Sequence, residues 1–249
     1  MIVLFTDFGL AGPYTGQMKA VLAGHAPAVP VIDLFADAPA FQPCLSAYLL
    51  GAYCGAVPQG GVLLGVVDPG VGTDRLPVVV RADGRWYVGP DNGLFELVMR
   101  RAGAVGANVA AWTIDWRPDR LSASFHGRDL FAPVAARLAL GEPPPGTPVP
   151  VERVRRPDWP DDLARIVYVD VYGNALTGLR AAMLGDGVEL EAGGRRIARA
   201  RTFGDVPVGE AIWYENGNGL AEIAVNQGRA DGVLGLKVGD EVGVSGAAM

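Results

Sequence analysis

A few charged side chains sit where an α/β chain can do chemistry. Asp68 ends the apolar run Gly61-Val62-Leu63-Leu64-Gly65-Val66-Val67, and Pro69-Gly70-Val71-Gly72-Thr73-Asp74-Arg75 follows it. An acid at the carboxyl end of a buried strand, before a glycine turn that closes on an arginine, is where open α/β sheets place ligands. The same spacing also suits a turn acid that bonds local amides. Asp7, between an apolar run at 2–5 and Phe8-Gly9, repeats the arrangement, and Asp33 and Asp37 lie near the end of another run at 29–34. A carboxylate so placed can accept two hydroxyls of a ribose. No Gly-rich phosphate loop or Walker sequence accompanies these acids, so a nucleoside without a tightly held phosphate fits better than NAD or ATP. His126, in Ser124-Phe125-His126-Gly127-Arg128-Asp129, lies at a predicted helix start. That position can hold an imidazole neutral. His25 sits in the helix-ending segment Gly24-His25-Ala26-Pro27 and reads as structural.

These side chains need elements to hold them. Tyr14, Met18, Val21 and Leu22 follow Pro13 at helical spacing, predicting a helix over 14–23. Residues 43–53 read as a largely buried helix, and residues 62–67 as the strand that delivers Asp68. Val78-Val79-Val80 and Trp86-Tyr87-Val88 flank the hairpin signal Asp83-Gly84. Gly89-Pro90-Asp91-Asn92-Gly93 then caps a helix over 94–101, and another amphipathic helix covers 130–140. This alternation predicts an N-terminal α/β domain over 1–142 with a mostly parallel sheet.

Seven prolines follow between Gly141 and Pro160. Such a run cannot continue a helix or fill a central strand, so residues 143–162 are predicted as an interdomain linker. Across 163–249 the helical signals fade. Short β-like runs at 166–171, 188–190, 197–200, 211–214, 220–225 and 241–244, parted by Gly, Asn and Asp turns, predict a small all-β sandwich or barrel. Here Asp170-Val171-Tyr172-Gly173-Asn174 sets an acid, an aromatic and an amide at a strand end. Tyr172 can stack on a heterocycle, and Asn174 can read an adenine edge through donor plus acceptor. Glu215-Asn216-Gly217-Asn218-Gly219 is a second polar turn, feeding an apolar run that ends at Asn226.

Composition bounds the partners. The 249 residues are half hydrophobic, enough for one large domain or two smaller ones. A net charge of −6 without a Lys/Arg cluster argues against nucleic acid. No apolar run approaches the roughly 20 residues that span a bilayer, and the chain starts directly into a strand without a signal-peptide pattern. A cytoplasmic protein without membrane partners is expected. Cys44 and Cys54 read as small buried thiols in a reducing compartment. With only two histidines, a zinc site of His and Cys is not expected.

Six segments in order resemble the S-adenosylmethionine hydroxide adenosyltransferase family, which also contains the bacterial fluorinase and chlorinase. They are Thr6-Asp7-Phe8-Gly9; Val67-Asp68-Pro69-Gly70-Val71-Gly72-Thr73 with Arg75; Gly89-Pro90-Asp91-Asn92-Gly93; Phe125-His126-Gly127-Arg128-Asp129; Asp170-Val171-Tyr172-Gly173-Asn174; and Leu220-Ala221-Glu222-Ile223-Ala224-Val225-Asn226. They cover residues 2 to about 245. The resemblance implies an N-terminal α/β domain, a C-terminal β-barrel, and a homotrimer with active sites between neighbouring subunits. It implies hydrolysis of S-adenosyl-L-methionine (SAM) to adenosine and L-methionine, with no cofactor and no metal. By position, Asp68, Arg75 and His126 match the family's water-activating triad. Asp7, with Phe8 beside it, would hold the ribose hydroxyls, and Phe41 would supply a stacking aromatic. Asn174 would bind adenine, while Asp170, Tyr172 and the segments around Asn218 and Asn226 would contact the rest of the substrate. Gly12 and Gly217 stand where the family often carries an acid and a serine.

Three other activities set the comparison. Halogenase relatives resemble a tyrosine at position 68 and can carry a halide-binding serine at 127, whereas this chain has Asp68 and Gly127. A carboxylate beside a halide path repels the anion, so water is the expected nucleophile. A non-catalytic nucleoside-binding trimer has no need of a charged triad. A methyltransferase of the common fold would carry a Gly-rich first turn.

Overall fold

The computed structural model describes residues 1–246. The chain divides into two compact units between Asp158 and Trp159.

In the first unit the strands are β1 (Ile2–Thr6), β2 (Val31–Phe35), β3 (Val62–Val66), β4 (Pro77–Ala82), β5 (Arg85–Pro90), β6 (Val109–Ile114) and β7 (Gly146–Val149). They form one sheet in the order β2-β1-β3-β5-β4-β6-β7. β1 runs parallel to β2 and β3, and β3 to β5. β4 is antiparallel to β5 and β6, and β6 to β7. Five strands thus share one direction and two, β4 and β7, oppose it. The Asp83-Gly84 hairpin signal is what reverses the chain between β4 and β5.

Helices cover the sheet: α1 (Tyr14–His25), α2 (Pro43–Tyr53), α3 (Glu96–Ala104) and α4 (Ala132–Ala139). α1 packs on α4, and α2 on α3. Ile2, Leu4, Val62, Leu64 and Val66 share one core cluster with Met18 and Leu22 of α1 and Val134 and Leu138 of α4. The intervening Val3, Phe5 and Leu63 are equally buried on the other face. Burial on both faces explains why β1 and β3 read as continuous apolar runs.

From β1 the chain crosses to β2 on one side, and from β2 it returns to β3 on the other. The ends of β1 and β3 therefore lie side by side at a switch in strand order, the place where such sheets open a crevice. Thr6 pairs with Val66, and the Asp7 N–H donates to the Val66 carbonyl at 3.3 Å. Adjacency of β1 and β3 is what brings Asp7 and Asp68 together.

The structure corrects two readings of the sequence. Residues 143–162 are not simply a linker. Gly146–Val149 forms β7, the edge strand, with Pro148 opposite Trp112 of β6. An edge strand needs donors on one side only, so proline is admissible there. Beyond it, the Arg155 Nε donates to both Glu96 oxygens at 3.0 Å, and the Arg156 N–H to Glu96 Oε2 at 2.7 Å. Arg100 also donates to Glu96, at 2.9 Å, and Arg156 to Asp91 at 3.0 Å. These pairs fasten the proline-rich run to the first unit. The second correction is at 127–131, where a π-helical turn precedes α4 instead of regular helix. Among the described residues neither Cys44 nor Cys54 is in a disulfide, and both are only partly buried where the sequence suggested buried thiols. Among the described residues no helix is long and apolar enough to cross a membrane.

The second unit contains β8 (Leu163–Val169), β9 (Ala175–Arg180), β10 (Glu189–Ala192), β11 (Arg195–Ile197), β12 (Ala211–Glu215), β13 (Leu220–Val225), α5 (Ala230–Leu234) and β14 (Gly243–Ser245). β9 and α5 have no counterpart among the predicted runs. The strands form two antiparallel sheets, β12-β13-β9-β8 and β11-β10-β14. Single bridges, Arg165 with Glu241 and Arg199 with Trp213, link strand regions of one sheet to those of the other. No continuous ladder closes the ring among the described residues, so the expected barrel is two sheets that meet at isolated points. Trp213 fills the core between them, its indole N–H donating to the Val188 carbonyl at 3.0 Å.

The Glu96 side chain is fully buried and satisfied by Arg100, Arg155 and the Arg156 amide. Glu96→Ala leaves charges without their partner and is expected to cost on the order of 3–5 kcal/mol. Urea denaturation at constant slope would register this; a loss under about 1 kcal/mol would mean the run is not fastened here.

Candidate active site

A pocket of about 350 Å³ opens in the first unit at the ends of β1 and β3. Asp7, Phe8, Tyr14, Phe41, Val66, Asp68, Val71, Phe125 and His126 are among its lining residues. This volume suits a small-molecule ligand. Phe8, Tyr14 and Phe125 form a mutually packed aromatic wall, with ring centroids 5.6–5.8 Å apart. Sequence reasoning does not single out Tyr14 and Phe125 as site residues. The signal for them is their position beside Gly12-Pro13 and His126.

Arg75 lies behind the lining and joins two of its side chains, Asp68 and His126. Its Nε donates to both Asp68 oxygens at 3.0 Å, and its Nη2 also donates to Asp68 Oδ2. The same Nη2 contacts His126 Nδ1 at 2.9 Å. A guanidinium has no acceptor, so Nδ1 must accept and the ring proton must sit on Nε2. The Phe131 ring lies 5.2 Å beneath the guanidinium. Asp68 and Arg75 side chains are only 4% and 9% exposed, so this is a buried ion pair and not a surface contact. Burial, then the Arg75 charge, holds the His126 imidazole below its ordinary value of 6.5, with Arg117 acting the same way. Asp68 and Asp129 oppose that shift. The arrangement yields a neutral imidazole presenting an N–H beside an anionic carboxylate.

Asp7 occupies the other end. Its Oδ2 accepts the Phe41 N–H at 3.1 Å. Phe41 holds φ at +61°, a backbone setting rare for a bulky residue, and the residue is 75% exposed. Burial pushes the Asp7 carboxyl above the usual carboxylate range, against the Phe41 amide and with help from the Asp68 charge. Asp33 does not join the pocket and pairs instead with Lys19 at 2.5 Å.

The second unit carries its own groove, of about 770 Å³, lined by Asp170, Tyr172 and Asn174 together with Phe203, Tyr214, Glu222 and Arg229. Asp170 organises the turn: Oδ1 accepts the N–H groups of Tyr172 and Asn174 at 2.9 Å, and Oδ2 accepts the Asn174 amide at 3.1 Å. That bond fixes which way the Asn174 amide points and leaves its oxygen available. Tyr172 is left 73% exposed. Glu222 is buried, accepting from the Tyr214 hydroxyl at 2.5 Å and the Asn216 amide at 2.9 Å. A carboxylate inside the apolar run 220–225 is the sequence signal for it. Asn218 and Asn226 do not line the groove. Asn226 donates to the Val206 carbonyl at 2.9 Å, a structural bond that engages its amide within the fold.

The folded Asp7 holds its proton more tightly than the unfolded chain, whose value is near 3.8. Its charge therefore opposes folding increasingly as pH rises through that window, and the penalty persists at neutrality. Asp7→Asn, which keeps an acceptor for the Phe41 N–H, is expected to raise Tm at neutral pH. The gain should shrink as pH falls below the unfolded value. Calorimetry across that range checks both signs.

Comparison with known sequences and structures matches this architecture. The family model of the SAM hydroxide adenosyltransferase N-terminal domain matches residues 2–147, and that of the C-terminal domain matches residues 164–243. The chain is 44% identical to the (R)-S-adenosyl-L-methionine hydrolase of Thermus thermophilus, over 96% of each chain. It is 38% identical to the enzyme of the same name from Salinispora arenicola, over 96% of this chain and 95% of that one. Among solved structures, an uncharacterized conserved protein from Thermotoga maritima superimposes with a TM-score of 0.85 at 32% identity, covering 98% of this chain and 99% of that one. A conserved hypothetical protein from Thermus thermophilus gives a TM-score of 0.76 at 39% identity with the same coverage. Both halves are matched in order and over nearly the full length: the chain belongs to the SAM hydroxide adenosyltransferase family.

Proposed function

We propose that this protein hydrolyses S-adenosyl-L-methionine to adenosine and L-methionine, taking the R epimer at sulfur that the names of its relatives specify. The observation that carries the reading is the Asp68–Arg75–His126 array bordering the same pocket as Asp7. The sulfonium already makes methionine a good leaving group, so the barrier lies in delivering a nucleophile in line with the 5′ carbon. A new C–O bond forms as the C–S bond breaks, its electrons neutralise the sulfonium, and one proton leaves the attacking water.

The residues divide this work. Asp7 accepts the ribose hydroxyls and so fixes the 5′ carbon. His126, bonded to Arg75 through Nδ1, offers its Nε2–H to the water oxygen. Asp68 keeps acceptor capacity beyond its bonds to Arg75 and takes the proton as the C–O bond develops. A water already bonding to carbon is a far stronger acid than bulk water, so a carboxylate suffices. The faces of Phe8, Tyr14 and Phe125 favour the sulfonium cation. This attraction is lost as the cation is neutralised, so it serves binding more than rate.

Halide is excluded by the same features. Asp68 repels an anion, and a Cβ at Gly127 would lie 3.3 Å from Met18 Sδ and 3.4 Å from the Phe125 and Phe8 rings. A side chain there would crowd the wall. Incubation with the R and S epimers in ¹⁸O-water, with and without chloride, is expected to give singly labelled adenosine from the R epimer alone. Chloroadenosine, or no nucleoside product, overturns the reading. The rate should fall on the acid side, with its inflection below 6.5, because protonating His126 next to Arg75 breaks their bond.

We further infer a homotrimer in which the groove of a neighbouring subunit completes each pocket. Support comes from the division of labour: the ribose and water groups belong to one unit, and the adenine-reading Asp170–Asn174 turn to the other. Asp68→Ala and Asn174→Ala variants, each inactive alone, should recover about a quarter of the sites when mixed subunits assort at random. No recovery in trimers shown by native mass spectrometry to be mixed would place each site within one chain.

A further inference from the structure

The loop at 122–126 delivers both Phe125 and His126 to the pocket, yet its hold on the fold comes from outside the pocket. The Ser122 N–H donates to Asp129 Oδ2 at 2.9 Å. Asp129 is in turn gripped by Arg128, whose Nε donates to Oδ1 at 2.6 Å and whose Nη2 donates to Oδ2 at 3.0 Å. Arg128 is anchored to α1 by the Gln17 side-chain oxygen at 2.9 Å, and its guanidinium covers the Phe125 ring at 5.0 Å. On its other flank the loop meets the Asp68–Arg75 turn. Gly72, at φ +79°, leaves room for the Ala123 carbonyl, which would lie 2.6 Å from a Cβ at that position. Neither Arg128, Asp129 nor Gly72 lines the pocket.

We propose that Asp129 is a positioning residue for the hydrolytic step: by pinning Ser122 it presses the 122–126 loop against Gly72 and holds His126 Nδ1 on Arg75. The proposal rests on the reading of His126 as part of the hydrolytic array. The pin acts one turn from the histidine. A ring displaced by even an ångström loses the 2.9 Å bond to Arg75 and the tautomer that bond imposes. Arg128 and Asp129 both sit in the π-helical turn at 127–131 that follows the loop.

Electrostatics and positioning predict opposite signs for one measurement. The groups acting on His126 are Arg75 and Arg117, which disfavour the imidazolium, and Asp68 and Asp129, which favour it. Deleting the Asp129 charge alone must therefore lower the His126 pKa. Releasing the loop must raise it, because the ring leaves Arg75 and its buried wall for water. Asp129→Asn removes the charge but keeps an oxygen for the Ser122 N–H, whereas Asp129→Ala removes both.

The test is a ¹⁵N NMR titration of His126 in the full-length wild type and in D129N and D129A, alongside kcat and KM for SAM. In D129A the histidine pKa should rise toward 6.5 and the fixed Nε2–H tautomer should become mixed. Its kcat should fall about tenfold or more and by a larger factor than KM rises, since the loop carries one ring of the wall, Phe125, while Asp7, Phe8 and Tyr14 keep their places in the lining. D129N should keep most of the rate and hold or lower the pKa. A D129A whose histidine pKa falls or does not move overturns the proposal, as does a D129N as slow as D129A. Should the wild type fail to hydrolyse SAM, the functional reading falls while the titration still decides whether Asp129 sets the ring. If D129A does not fold, Gly72→Ala pushes the same loop from its other side, and an unmoved His126 titration there overturns the proposal.

Discussion

The Arg75 guanidinium is the constraint on which the first unit's site depends. It carries a permanent charge into a nearly closed space, where an unpaired cation would cost several kcal/mol. Asp68 supplies the countercharge and Phe131 a π face, but neither determines what the third contact must be. Because a guanidinium only donates, the group on its remaining edge has to be an acceptor, and a neutral imidazole meets that demand. Burial and the Arg75 charge together bias His126 toward its neutral form. One permanently charged side chain holds an anion on one side and a hydrogen-bond acceptor ring on the other.

The sheet provides the precision for this. Asp7 and Asp68 leave neighbouring parallel strands whose register is fixed from Ile2↔Val62 through Thr6↔Val66, and a one-residue slip would turn every buried side chain to the wrong face. The histidine arrives from much later in the chain, on a loop that packs against the Asp68–Arg75 turn. The site therefore has one rigid half, set by β1 and β3, and one half adjusted by loop contacts. The second unit follows a related plan: Asp170 commits its carboxylate to the local turn, so the residues after it are presented by hydrogen bonds and not by packing.

Much of this was legible in the sequence, because the relevant signals are local. Apolar runs ending in Asp7 and Asp68 mark parallel strands buried on both faces, and Asp83-Gly84 marks a hairpin. What was not legible depends on distant partners. Arg155 and Arg156 lie in a proline-rich run that reads as linker, and only the buried Glu96 shows why the run is held. β9 escapes a sequence reading because Ala175–Arg180 lacks the β-branched density of its neighbours and owes its state to pairing on both edges. Asn226 carries the right residue type and motif position, yet one N–H of its amide goes to the Val206 carbonyl within the fold. Motif position alone does not reveal where a side chain's hydrogen bonds go.

The edges of the seven-stranded sheet have a consequence for assembly. One edge is β7, where Pro148 removes a donor from the strand and prolines stand before and after it. The other is β2, where Asp33 is charged, half exposed and tied to Lys19. Neither edge offers the unbroken row of free donors and acceptors that an incoming strand would need. The sheet is closed to growth at both ends without being a barrel. In the first unit, strand addition at the sheet's edges is thereby disfavoured, and the surfaces left for contact with a partner are side chains on loops and helices, where register is set by shape and charge.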